Sequence, residues 1–218
     1  KKTVEIINSG EVHIKEPGLE ELVSKAVSSG KLKASEKPLE SDIFVITVPT
    51  PFTNSKEPDL SYVKLAVKTV SKVLKKGDIV ILESTSPVGT TDKIIEWIRD
   101  YRNDLRLPSP DLDDSDIYIA YSPERVLPGR IIEELVSNDR IIGGISETCS
   151  KKASDFYKIF VKGNCDITDS RTAELCKLVE NSYRDVNIAF ANELSLISEE
   201  LDIDVWELIE KANRHPRV

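Results

Sequence analysis

A doubly wound α/β fold on a parallel sheet, followed by a long helical segment, is what this sequence predicts. Three observations lead to it. Asp42 to Val48 (DIFVITV) is an almost continuous β-branched and apolar run, the pattern of a strand buried on both faces rather than one. Strand-like and helix-like segments then alternate as far as residue 168, the rhythm of a parallel sheet with crossover helices. From Arg171 to Leu201 helical spacing runs without a breaker, unusually long for a crossover but natural for a helix that links domains and builds a dimer.

Taken in order, Lys1 to Asn8 reads as the end of a helix closed near Gly10, and Pro17 to Ser28 as a short amphipathic helix stopped by Gly30. The strand Asp42–Val48 ends in the rigid turn Pro49-Thr50-Pro51. A helix from about Asp59 places Leu60, Val63, Val67, Val70 and Leu74 on one face, with Gly77 at its stop. Strand Asp78 to Glu83 (DIVILE) follows, then a helix to about Tyr101, a polar loop over Asn103 to Asp116, and strand Ile117 to Tyr121. Arg140 to Gly143 reads as a further strand, Glu147 to Phe160 as a helix, Asp166 to Thr168 as a short strand, and Asp204 to Asn213 as a last helix.

The 218 residues, 39% hydrophobic and 31% charged, suffice for a sizeable core in one large or two small domains. No apolar run approaches the ~20 residues of a membrane span, and Lys1 to Ser9 lacks the apolar core of a secretory signal. A cytoplasmic protein is expected. The net charge of −8 argues against general nucleic-acid binding. Cys149, Cys165 and Cys176 form no close ligand pair and their odd number disfavours a disulfide framework. His13 and His215 lack metal-ligand company, so no metal site is expected. Methionine is absent, and a piece of a longer chain is expected.

In an open parallel sheet ligands sit beyond the carboxyl ends of the strands, so the turns after Val48, Glu83 and Tyr121 are the first candidates. Val48-Pro49-Thr50-Pro51 holds one hydroxyl between two prolines, a wall for a flat ring or ribose, or simply a stiff strand exit. In Ser84-Thr85-Ser86-Pro87-Val88-Gly89-Thr90-Thr91 hydroxyls would cap a helix whose N–H groups attract anions, or serve as an ordinary N-cap. Tyr121-Ser122-Pro123-Glu124-Arg125-Val126-Leu127-Pro128-Gly129 sets a carboxylate beside a guanidinium where a sugar phosphate would lie, the plainer reading being a surface ion pair. Lys177, Asn181 and Arg184 fall at i, i+4 and i+7 and share one face, which is either a functional or a solvated stripe. Cys176 adjoins Lys177, but neighbours on a helix point about 100° apart, and it reads as a packing residue.

In this order, VPTP at Val48, ESTSPVGTT at Glu83, AYSPERVLPG at Ala120, AELCKLVENSYRDVNIAFANEL at Ala173 and NRHPRV at Asn213 resemble the UDP-glucose/GDP-mannose dehydrogenase family over nearly the whole chain. The SPERVLPG form and the NRHPRV ending resemble its UDP-N-acetyl-D-mannosamine branch. The resemblance implies a truncated Rossmann-like, doubly wound domain over residues 1–168 and a helical dimerisation and substrate-binding segment over 169–218. It further implies NAD as cofactor and four-electron oxidation of the sugar C6 alcohol to a carboxylate, through a thiohemiacetal on a cysteine. On matching positions it assigns Thr50, Thr85 and Thr91 to the NAD site, and Arg125 and Val126 to the sugar nucleotide. Glu124 would position water or a proton-transfer group. Lys177 would stabilise an oxyanion or exchange protons, with Asn181 as a second donor. Arg184, His215 and Arg217 would bind the UDP-sugar, and the 171–201 helix would form a homodimer.

Two departures stand beside the matches. The family opens with a strand and a GxGxxG turn, and the nine glycines here form no such motif. The family also carries its nucleophilic cysteine shortly after NRHPRV, where this sequence ends. Turnover is therefore not expected of this piece alone.

Overall fold

The structure is a computed structural model describing residues 1–111 and 114–216; Arg217 lies outside the described residues. Two short helices, α1 (Lys2–Asn8) and α2 (Leu19–Ser28), precede the sheet. Then come β1 (Ile43–Ile46), α3 (Ser61–Val70), β2 (Ile79–Leu82), α4 (Thr90–Arg99) and β3 (Tyr118–Tyr121). They are followed by α5 (Ile131–Ser137), β4 (Arg140–Gly144), α6 (Glu147–Tyr157), β5 (Cys165–Asp169), α7 (Ser170–Glu200) and α8 (Val205–Ala212). The chain divides into two compact units, residues 1–177 and 178–218.

The first unit holds one five-stranded sheet in the order β1-β2-β3-β4-β5. All four residues of β2 are buried, as its unbroken Ile-Val-Ile-Leu run predicts. Alternate side chains divide between two cores: Val80 and Leu82 join Phe44, Ile46, Val63, Val67, Ile94 and Ile98 on the α3 and α4 side. Ile79 and Ile81 join Ala120, Ile142, Ala153 and Tyr157 on the α6 side. Helices on both faces make the unit doubly wound, as expected. At the outer edge, β1 turns Val45 to solvent, and an apolar groove of about 390 Å³ runs along it between Pro38, Val45, Tyr62 and Leu65.

The sheet is mixed rather than wholly parallel, which corrects the sequence reading. β1, β2 and β3 run parallel, but β4 is antiparallel to β3, with Ala120 opposite Gly144 and Tyr121 opposite Gly143. β5 then pairs parallel to β4. The cause is the connection after β3. Its only helix, α5, has seven residues and spans about 10 Å at 1.5 Å per residue, too short to carry the chain back across the sheet. It stays at the carboxyl end, where β4 begins. Arg140, the first residue of β4, there donates to Glu83 just beyond β2, at 3.2 Å.

Gly143 and Gly144 allow the chain to fold back over β4. A Cβ at Gly143 would stand 2.3 Å from the Asp169 carbonyl oxygen and 2.6 Å from the Ala173 Cβ, and one at Gly144 2.3 Å from the Ser150 nitrogen. Without side chains there, α6 and the first turn of α7 lie directly on the strand, and α7 leads Glu174 and Lys177 toward the carboxyl ends of β2 and β3.

The second unit consists of the remainder of α7 and α8. Asp202 adopts a left-handed conformation, φ 54°, and the Ile203 N–H returns to the Ser198 carbonyl at 2.9 Å, ending α7. Asp204 Oδ1 accepts from the Trp206 N–H at 2.9 Å and caps α8. Many apolar side chains of this unit are exposed, among them Tyr183, Val186, Phe190 and Leu201, with Trp206 77% exposed. Among the described residues no helix is long and apolar enough to cross a membrane.

Candidate active site at the carboxyl ends of β1, β2 and β3

The three turns singled out by sequence converge. Thr50 Oγ1 donates to the Thr85 carbonyl at 2.6 Å, joining the turn after β1 to the turn after β2. Ser84, buried between them, accepts from the Val48 N–H at 2.8 Å and donates to the Val48 carbonyl at 2.7 Å. The Ser122 N–H continues the ladder to the Leu82 carbonyl at 3.0 Å, fixing the start of the third turn. Thr50 and Thr85 are both half-buried and border the crevice, a position that fits the rim of a nucleotide site.

Beneath this rim lies a buried ionic cluster. Glu83 Oε1 accepts from Arg140 Nη1 at 3.2 Å and from the Tyr157 hydroxyl at 2.6 Å. The Arg140 guanidinium also lies 4.5 Å from the centre of the Tyr157 ring, a cation–π contact. Burial and the neighbouring Glu83 charge push the Tyr157 phenol well above its ordinary value, so it remains a donor. The cluster ties β2, β4 and α6 together at one point.

The start of α4 departs from expectation. Its N-cap is Gly89, φ 88°, and no side-chain hydroxyl of the Ser84–Thr91 turn caps it; Thr90 Oγ1 instead donates to the Pro87 carbonyl at 2.6 Å. The anion expected at this helix terminus is supplied by the chain itself. Glu174 Oε2 accepts from the Gly89 N–H at 2.6 Å, and Oε1 accepts from the Thr91 N–H and Thr91 Oγ1, each at 2.7 Å. Glu174 and Thr91 are both fully buried. Burial pushes the Glu174 carboxyl up, and the hydrogen bonds from Thr91 and Gly89 pull it back. Thr91 thus stands one layer beneath the crevice, with its polar groups on Glu174.

Sequence reasoning passed over Glu174, although a signal was present. It precedes Lys177 by three residues and so extends the polar face of Lys177, Asn181 and Arg184 back toward the sheet. Replacing Glu174 by alanine leaves two N–H groups and a hydroxyl unpaired in the interior. The expected loss is about 2–4 kcal/mol of stability by urea unfolding, from the cost of orphaned buried donors; a change below about 0.5 kcal/mol would contradict this role.

Lys177 and Glu124, assigned separately from the sequence, are brought together. Lys177 Nζ donates to the backbone carbonyl of Glu124 at 2.5 Å, so the amine of α7 sits on the loop after β3. That loop is shaped by carboxylates. Glu124 Oε2 accepts from the Val126 N–H at 2.9 Å, and Glu134 Oε2 from the Leu127 N–H at 2.9 Å. Arg125 Nη1 donates to the Asp139 carbonyl at 3.2 Å, and Asn138 Nδ2 to the Arg125 carbonyl at 3.2 Å. Arg125 and Val126 are half-buried beside them. Cys176 is half-buried with a free thiol. Asn181, Arg184 and His215 belong to the second unit, where Asn181 is half-buried and the other two are exposed.

The chain that folds into this arrangement is similar to known proteins. Residues 1–161 match the UDP-glucose/GDP-mannose dehydrogenase family, NAD binding domain, and residues 171–218 its central domain. The chain belongs to this family. It is 57% identical over 215 residues to the UDP-N-acetyl-D-mannosamine dehydrogenase of Escherichia coli K12, covering 99% of this chain and 51% of that protein. It is 55% identical, with the same coverage, to an NDP-N-acetyl-D-galactosaminuronic acid dehydrogenase of Ralstonia nicotianae. Among solved structures, a UDP-D-ManNAc dehydrogenase from Pyrococcus horikoshii superposes with a TM-score of 0.92 at 43% identity, covering all of this chain and 51% of that one. The chain thus spans about half the length of the curated relatives it matches. Within the family framework, β1 to β3 and their turns lie in the matched NAD-binding domain, and α7, apart from its first residue, lies in the matched central domain.

Proposed function

We propose that the intact protein carrying this chain oxidises the C6 alcohol of UDP-N-acetyl-D-mannosamine to the carboxylate of UDP-N-acetyl-D-mannosaminuronate, using NAD, in the cytoplasm. The observation that carries this reading is Lys177 seated on the Glu124 carbonyl in the loop after β3. A cation placed there opposes charge developing on the C6 oxygen and exchanges its proton. Glu124, on the same loop, orders water or relays the proton. Arg125 and Val126 hold the sugar nucleotide, the guanidinium serving its phosphates.

NAD, when bound, supplies the hydride acceptor for both oxidation steps. Thr50 and Thr85 fit its rim, and Thr91 supports that rim through Glu174 and α4. Asn181, Arg184, His215 and Arg217 are proposed as substrate-binding residues on the strength of the family resemblance, with Asn181 one helical turn beyond Lys177. The exposed apolar side chains of Tyr183, Val186 and Phe190 support a homodimer built on the 171–201 helix, since burying such a surface is the ordinary reason to display it.

NADH formation by the intact protein, offered UDP-N-acetyl-D-mannosamine, UDP-glucose and other nucleotide sugars in parallel, tests the reading. Two NADH per UDP-N-acetyl-D-mannosamine is the expected yield. Turnover of a different nucleotide sugar alone would keep the family chemistry and reassign the substrate; the high identity to an N-acetylgalactosaminuronic acid enzyme makes that a necessary comparison. No reduction with any sugar would leave only a non-catalytic, dimeric binding module.

A further inference from the structure

The loop assigned to the sugar nucleotide is fastened at its far end by a residue distant in sequence. Glu16, in the connection between α1 and α2, is half-buried. Its Oε2 accepts from the Gly129 N–H at 2.9 Å, and its Oε1 accepts from the Ile131 N–H at 2.8 Å. Gly129 has φ 90°, a conformation reached readily only by glycine, so the backbone is turned to meet the carboxylate. Lys177 holds the other end of the loop through the Glu124 carbonyl. Between these points, Glu124 and Glu134 accept from the Val126 and Leu127 N–H groups.

We infer that Glu16 is a positioning residue for sugar-nucleotide binding: its carboxylate staples Gly129 and Ile131, fixing the segment that presents Arg125 and Val126. The inference rests on the function proposed above. Charge-assisted hydrogen bonds to backbone N–H groups are among the stronger ones, and a carboxylate with one oxygen for each donor restrains two positions of the loop at once. Loss of Glu16 frees both N–H groups, and the loop must then be ordered by the substrate itself, a cost that appears in substrate affinity. Thr50 and Thr85 are joined to each other by the bond from Thr50 Oγ1 to the Thr85 carbonyl, which does not involve this loop, so cofactor affinity is left alone.

The test is steady-state kinetics of the intact protein with Glu16→Ala, Glu16→Gln and, as a control on the exposed first turn of α2, Glu20→Ala. Thermal midpoints are recorded for each. The KM for the nucleotide sugar is expected to rise about tenfold in Glu16→Ala, with the KM for NAD within about twofold of wild type. Glu16→Gln keeps the side-chain length but sets an amide NH₂ against one of the two donors. It should move the same constant in the same direction, and it carries the test if the alanine variant does not fold. Glu20→Ala should match wild type. An unchanged nucleotide-sugar KM in a folded Glu16 variant, or parallel rises in both KM values, overturns the inference while leaving the proposed function standing. A wild-type protein that neither binds nor oxidises any nucleotide sugar overturns both.

Discussion

Replacing Lys177 by alanine should lower kcat of the intact protein by about a thousandfold, the combined scale of a lost proton-transfer group and a lost oxyanion donor. The amine is half-buried and fixed on the Glu124 carbonyl. It is therefore already placed, and no solvent cation can take up its geometry in the variant. The hydrogen bond to Glu124 is also a structural tie, so the KM for the nucleotide sugar should rise modestly as the loop relaxes. Lys177→Arg separates the two effects. It restores the positive charge and a donor but not a proton readily given up, so it should recover the KM more fully than kcat. A kcat of Lys177→Ala within about tenfold of wild type would remove Lys177 from the chemistry and leave it as a tether of the loop.

What the sequence revealed and what it concealed follow from the range of the interactions involved. β2 was legible because its four residues are buried on both faces and must all be apolar. The long helix was legible because Ser170 to Glu200 contains no glycine or proline. The direction of β4 was not, since an apolar run of strand length is the same in either direction, and the deciding feature is the shortness of α5, a helix of seven residues with little periodicity to detect. That the three turns stand at the carboxyl ends of β1, β2 and β3 was legible, because it needs only the strand positions. Two carboxylates that hold those turns from a distance, Glu174 and Glu16, were passed over. Glu174 caps α4 from 85 residues away, and Glu16 reaches Gly129 across 113; a glutamate among charged neighbours reads as solvent-exposed until its partners in space are known. Thr91 shows the limit of motif reading, because its position beside the crevice was legible but its burial against Glu174 was not.

Arg140→Ala should be the most damaging single change in the first unit, costing about 3–5 kcal/mol by urea unfolding. Arg140 is 5% exposed, and its removal strands the Glu83 carboxylate beneath the crevice with only the Tyr157 hydroxyl as its described side-chain donor. An isolated buried charge costs more than the pair it came from. The loss also takes a cation from the Tyr157 ring and a guanidinium from the junction of β2 and β4. Removing both charges should therefore be milder than removing one. Arg140→Met combined with Glu83→Gln leaves a neutral site of similar volume in which the glutamine oxygen still accepts from Tyr157, and it should recover at least half of the stability lost in Arg140→Ala. If the double variant is instead as unstable as the single one, the pair acts through its geometry at the β2–β4 junction rather than by neutralising a buried charge. In that case the Ser84-Thr85 turn, which follows Glu83 directly, should lose its order in the same variants, visible as faster amide exchange from Ser84 to Gly89.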